Sequence, residues 1–113
     1  MELLPPMPSW DILDKGGAAD TLQAFRGPPE VGRKLLIEEI VFIEKVLPGS
    51  VVRTLTERGM EHHRAPYLKA AEREPLYRWP NEVPIERNPA DVYAIVEKYH
   101  AWLLENDIQK LFF

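Results

Sequence analysis

The stretch NPADVYAIVEKYHAWLLENDIQKLFF, residues 88–113, decides the fold. Asn88 is a good N-cap, Pro89 suits the first helical position, where no amide donor is needed, and Asp91 sits in the first turn. Val92, Ile95, Val96, Tyr99, Trp102 and Leu103 then recur at helical spacing and make one apolar stripe. Asn106-Asp107 closes the pattern, so the sequence predicts its longest helix near 89–105. After it, Lys110-Leu-Phe-Phe113 reads as the beginning of a strand. No other segment makes a convincing strand for it to pair with, and unpaired buried backbone groups are costly. The partner strands are therefore expected outside this sequence.

Working back from that helix, Trp79-Pro-Asn-Glu-Val-Pro84 reads as an irregular loop, and short helical pieces are expected over 66–71 and 73–78. Thr56 is a plausible N-cap for a helix over roughly 57–64, with Glu57 favourably placed against its dipole and Pro66 stopping it. Val31 to Leu47 carries Leu35, Leu36, Ile40, Ile43 and Leu47 near helical spacing and predicts one helix ended by Pro48-Gly49. Thr21 to Arg26 predicts a turn or two of helix before Gly27-Pro28-Pro29. The opening Met1 to Trp10 carries Pro5, Pro6 and Pro8 and reads as an extended crossing segment. The expected fold class is thus mainly α, with at most one or two short strands.

The bulk numbers narrow the function. One domain at most fits into 113 residues, and 45% hydrophobic with 28% charged residues is ordinary for a soluble globular protein. A net charge of −4 argues against holding nucleic acid by its phosphates. With no cysteine, disulfides and thiol catalysis are excluded. No apolar run approaches the roughly 20 residues of a membrane span, and no signal peptide is visible, which points to a cytoplasmic protein. The 11 prolines, about twice the usual share, favour many short helices. Nucleotide loops of the G-x-x-x-x-G-K or G-x-G-x-x-G type are absent.

Several stretches, in order, resemble one family. Met1-Glu2 with Pro8-Ser9-Trp10 resembles the exit from a core strand. Leu22-Gln23-Ala24-Phe25-Arg26 and Val41-Phe42-Ile43-Glu44 with Val46-Leu47-Pro48-Gly49 resemble successive cap helices. Tyr67-Leu68, Arg73-Glu74-Pro75-Leu76, Arg78-Trp79-Pro80-Asn81-Glu82-Val83-Pro84-Ile85 and Pro89-Ala90-Asp91-Val92 follow, and Lys110-Leu111-Phe112 closes the match. Together they resemble the haloalkane dehalogenases, members of the α/β-hydrolase superfamily, over essentially the whole chain. The resemblance implies a helical cap between the sixth and seventh strands. Its parts are an exit from the core strand over 1–10, a cap domain over 11–106 and the start of the next strand over 107–113.

The resemblance also implies a chemistry. An Asp nucleophile attacks the carbon bearing the halogen, and a His then activates water to hydrolyse the alkyl-enzyme ester. Nucleophile and His would lie outside this chain; of the catalytic set only the acid maps here, onto Glu2. Substrate-tunnel positions map onto Leu22, Phe25, Phe42, Val46, Gly49, Ser50, Val51, Trp79, Pro80 and Val83. The implied partners are a small haloalkane, water, halide and the remaining hydrolase core, with no cofactor and no metal. Ile40 departs from the family, which usually has Asn there, and the Gly16-Gly17 and Gly27-Pro28-Pro29 regions look slightly longer than usual.

Taken alone, these residues are plain. Glu2 would be a solvated acid, and Phe42 and Trp79 would be core aromatics. Adjacent His62 and His63 point about 100° apart on a helix and chelate poorly, and His100 reads as a surface residue. Two rival readings stay open: the cap of a coelenterazine-type luciferase or another α/β-hydrolase, and a free-standing helical interaction module.

Overall fold

A computed structural model of the chain describes residues 6–13 and 17–109. Glu2 and the Lys110–Phe113 strand expectation lie outside the described residues, as does Gly16. What is described is mainly α, as the sequence leads one to expect. The helices are α1 (Ala18–Arg26), α2 (Pro29–Arg33), α3 (Leu47–Gly49), α4 (Glu57–Arg64), α5 (Glu74–Asn81) and α6 (Ala90–Glu105). Short 3₁₀ turns cover Trp10–Leu13, Ala65–Tyr67 and Ala70–Arg73. Extended pairing among the described residues is limited to isolated bridges, Met7 beside Ile85 and Ile85 beside Asn88.

The cap at Thr56 behaves as its side chain demands: Oγ1 accepts from the Gly59 amide at 3.2 Å, and α4 runs to Arg64 before Pro66. Elsewhere the chain departs from the reading of its sequence. The single helix expected over 31–47 is broken. Beyond α2 the backbone widens into a π-helical turn, Lys34–Glu38, and a second one, Phe42–Val46, leads into α3. Between them Ile40 adopts a left-handed φ of 43°. A β-branched residue is a poor occupant of that region, so hydrophobic spacing alone could not reveal the break.

Two further boundaries move. Trp79, Pro80 and Asn81 belong to the last turn of α5, not to a loop. Pro80 is tolerated there because the helix ends within two residues. Asn81 Nδ2 donates to the Tyr77 carbonyl at 2.8 Å, and the Glu82 amide closes onto Arg78 and Trp79. At the other boundary Asn88 does not cap α6 with its side chain; Pro89 is the cap residue and Ala90 opens the helix. Asn88 instead uses its backbone, exchanging hydrogen bonds with Ile85.

Two apolar clusters organise the packing. Met7, Val83 and Ile85 form one, with Trp10, Leu13 and Leu22 against it. Ile43, Met60 and Leu76 form the other, with Ile40, Phe42, Leu55 and Tyr67 around them. Leu36 is fully buried. Gly32 lets α2 pass close to α1 and α5: a Cβ there would drive into the Phe25 carbonyl and come within 3.0 Å of the Tyr77 ring. Arg33 of α2 then grips Glu74 of α5 with two hydrogen bonds of 3.0 and 2.9 Å, and its guanidinium lies over the Tyr77 ring.

Candidate functional site

Helix α5 begins with Pro75 near its first turn, which spares an amide donor, and this sets Leu76 and Trp79 one turn apart on the same side. Leu76 is buried in the second cluster, while Trp79 stays more than half exposed. Opposite stands Phe42, carried by the π-helical turn after the Ile40 kink. The two rings meet edge to face, with centroids 5.5 Å apart and planes at 66°. Phe42, Tyr67, Pro75, Leu76 and Trp79 line an open cleft of about 340 Å³. Its walls are aromatic and aliphatic, suited to an uncharged apolar guest. Tyr67, Pro75 and Leu76 were not among the residues expected at a site. Their spacing in sequence is unremarkable, and it is the turn at Ala65–Tyr67 that brings Tyr67 to α5.

The remaining expected tunnel residues fall into separate places. Leu22 and Val83 belong with the Met7 cluster. Phe25 and Pro80 are buried. Val46 is half-buried, while Gly49 and Ser50 are exposed, the Ser50 hydroxyl donating back to the Val46 carbonyl at 2.6 Å. Val51 borders a second open cleft of about 350 Å³, shared with Glu44, Pro48, Leu55, Met60 and Arg64 among others. Within the described residues, then, the structure brings Phe42 and Trp79 together, and it sets Leu22 beside Val83 in another cluster.

That second cleft has a charged rim. Arg64 reaches from α4 to Glu44 with Nε at 2.6 Å and a terminal nitrogen at 2.9 Å, and to Glu57 at 2.5 Å. These hydrogen bonds hold the Glu44 carboxyl below the usual carboxylate range and push the Arg64 guanidinium up. Arg73 donates to the carbonyls of Tyr67, Ile37 and Leu68, tying the turn that carries Tyr67 to the π-helical turn after α2.

No protein-family model matches the chain. The haloalkane dehalogenase of Sphingobium indicum is 46% identical over 94 residues, 82% of this chain and 31% of that protein. The haloalkane dehalogenase of Mesorhizobium japonicum is 41% identical over 114 aligned positions, covering 100% of this chain and 37% of that protein. The chain is similar, over most or all of its length, to one segment of the haloalkane dehalogenases. It spans about a third of the length of the curated relatives it matches. The crystal structure of an ancestral haloalkane dehalogenase superposes with a TM-score of 0.84 at 44% identity, over 88% of this chain and 35% of that one. The mainly helical architecture seen here therefore corresponds to one segment of a larger α/β-hydrolase. Among the described residues no helix is long and apolar enough to cross a membrane.

Proposed function

We propose that the polypeptide carrying this chain is a cytoplasmic haloalkane dehalogenase. It would hydrolyse the carbon–halogen bond of a small haloalkane to alcohol and halide. The chain is its cap: residues 11–106 form the lid, 1–10 and 107–113 join it to the strands of the core. The observation that carries this reading is identity of 41% sustained over the whole chain with a haloalkane dehalogenase. The aromatic cleft between Phe42 and Trp79 supports it, because a halocarbon offers no charge or strong hydrogen bond and needs an apolar, water-poor wall.

In this mechanism an Asp from the core displaces halide and forms an alkyl ester. A His from the core then takes a proton from water, which attacks the ester. Glu2 would accept a hydrogen bond from that His, fix its tautomer and stabilise the imidazolium. Leu22, Phe25, Val46, Gly49, Ser50, Val51, Pro80 and Val83 would complete the tunnel around Phe42 and Trp79. No cofactor takes part. Nucleophilic attack on carbon needs no base, whereas ester hydrolysis does. Glu2→Gln should therefore leave ester formation intact and slow its hydrolysis by roughly 10²–10⁴-fold.

The test is halide release from a brominated alkane by the polypeptide that carries this chain, followed by intact-mass measurement of Glu2→Gln. Halide release from the parent and a covalent adduct on the variant are expected. Light emission from coelenterazine without halide release would overturn the reading. Normal turnover by Glu2→Gln, without adduct, would move the acid elsewhere and leave the family untouched.

A further inference from the structure

Arg26 ends α1 and reaches across to the connection between α5 and α6. One of its terminal nitrogens donates to the carbonyls of Val83 and, at 3.4 Å, Pro80; the other donates to the Asn88 carbonyl at 2.9 Å. The face of the guanidinium lies 5.4 Å from the centre of the Trp10 ring. These three acceptors are 54 to 62 residues away in sequence. Pro80 lies in the last turn of α5, where helix carbonyls have no amide of their own helix to receive, Val83 lies just past that helix, and Asn88 stands just before the cap of α6. A guanidinium can serve three carbonyls at once because its donors are fixed in a planar fork; an ammonium on the same stem is a single point.

The segments so joined are the two that carry Leu22 and Phe25 on one side and Trp79, Pro80 and Val83 on the other. We propose that Arg26 is a positioning residue that fixes the last turn of α5 against α1, and so the stance of Trp79 opposite Phe42 and the girth of haloalkane that their cleft accepts. This rests on the reading of the parent as a haloalkane dehalogenase. Without the fork, the last turn of α5 loses its hydrogen bond to α1 at Pro80, and the residues just past it lose theirs. Trp79 sits one residue before the clamped Pro80, so its ring is free to swing from Phe42 and the cleft widens.

The experiment compares kcat and KM for a slim substrate, 1-bromobutane, and a thick one, bromocyclohexane, in the polypeptide that carries this chain. Arg26→Lys and Arg26→Ala should raise the ratio of kcat/KM for the thick substrate over the slim one by roughly fivefold or more, mainly through KM. Millimolar guanidinium should return the ratio of Arg26→Ala toward wild type, and Arg33→Ala, which breaks an exposed ion pair elsewhere, should leave it unchanged. A parallel fall for both substrates, an unchanged ratio, or an equal rise in Arg33→Ala would overturn the proposal. Should Arg26→Ala fail to fold, Arg26→Lys alone decides. Wild-type protein that releases halide from neither substrate would instead overturn the dehalogenase reading, and this inference with it.

Discussion

The second apolar cluster and helix α6 are built from the same kinds of residue and end up in opposite conditions. Around Ile43, Met60 and Leu76, side chains from four separate segments close over one another, and all three are buried. Helix α6 is the longest helix described, at 16 residues, yet it buries only Tyr93 and Val96. Ile95, Trp102 and Leu104 are each more than half exposed. Local sequence settles that a helix forms; whether its apolar stripe is buried depends on what stands opposite. For the cluster, the covering residues are in the chain. For α6, they belong to the two thirds of the relatives' length that this chain does not span, on the reading proposed here.

Separating the chain from the rest of its polypeptide should have the largest effect. Each Å² of apolar surface left in water forgoes about 25 cal/mol, and a domain has only about 5–15 kcal/mol in hand. The isolated chain should melt broadly. A sharp cooperative transition well above room temperature, for the monomer alone, would show that α6 needs no cover. Within the larger polypeptide, Trp102→Ala should cost about 3–5 kcal/mol, as truncation of a buried aromatic does. Urea denaturation checks this, and a loss under about 0.5 kcal/mol would mean that the face is solvated in the whole protein too.

Next in size is Gly32→Ala. The added methyl meets the Phe25 carbonyl and the Tyr77 ring. A ring can yield by a few tenths of an ångström, but the backbone carbonyl of α1 cannot without moving the helix. A destabilisation of about 1–3 kcal/mol is expected from such overpacking. An unchanged denaturation midpoint would show that the α1–α2 approach is looser than its geometry implies.

Much of this was legible in the sequence, and the failures have physical causes. Thr56 announced α4 because a hydroxyl before a helix has few other uses. Pro89 and Asp91 placed the start of α6 within a residue or two. The break at Ile40 was hidden because its residues keep helical spacing on both sides, and spacing does not report a local φ. Which residues of α6 are buried was hidden for a related reason. Periodicity named Val92, Ile95, Val96, Tyr99, Trp102 and Leu103 as one stripe, whereas the described packing takes Tyr93 and Val96 from its edge. The cleft was half legible: the resemblance supplied Phe42 and Trp79, but Tyr67 joins them only through a turn held by Arg73.

Ile40 offers a smaller test of the same contrast. Its left-handed backbone costs about 1–3 kcal/mol for a β-branched side chain. Its half-buried packing against the Ile43 cluster returns about 1 kcal/mol. Asn adopts that backbone more readily. Ile40→Asn should therefore stabilise the protein by about 0.5–1 kcal/mol, seen as a rise in melting temperature. A fall would mean that packing outweighs backbone strain even at this kink.

The smallest expected effect comes from the charges that close the cluster side. Glu44 titrates below its ordinary range, chiefly through the hydrogen bonds from Arg64, and Glu74 does so through those from Arg33. A carboxyl whose folded pKa lies below its unfolded one binds fewer protons in the folded state. Its contribution is complete above the unfolded value, near 4.3, and drains away as pH falls through the folded value. Wild type should thus lose stability progressively below about pH 5. Glu44→Gln cannot titrate, so its melting temperature should lie below wild type at pH 7 and approach it at pH 3. Both groups are largely solvated, so the gap at pH 7 should be small and should shrink further in salt. Arg33→Met should act in the same direction through Glu74, and the two changes should add because the pairs share no partner. A gap between wild type and Glu44→Gln that stays constant from pH 7 to pH 3 would mean that Glu44 steadies the turn after Ile40 by shape alone, with no part played by its charge.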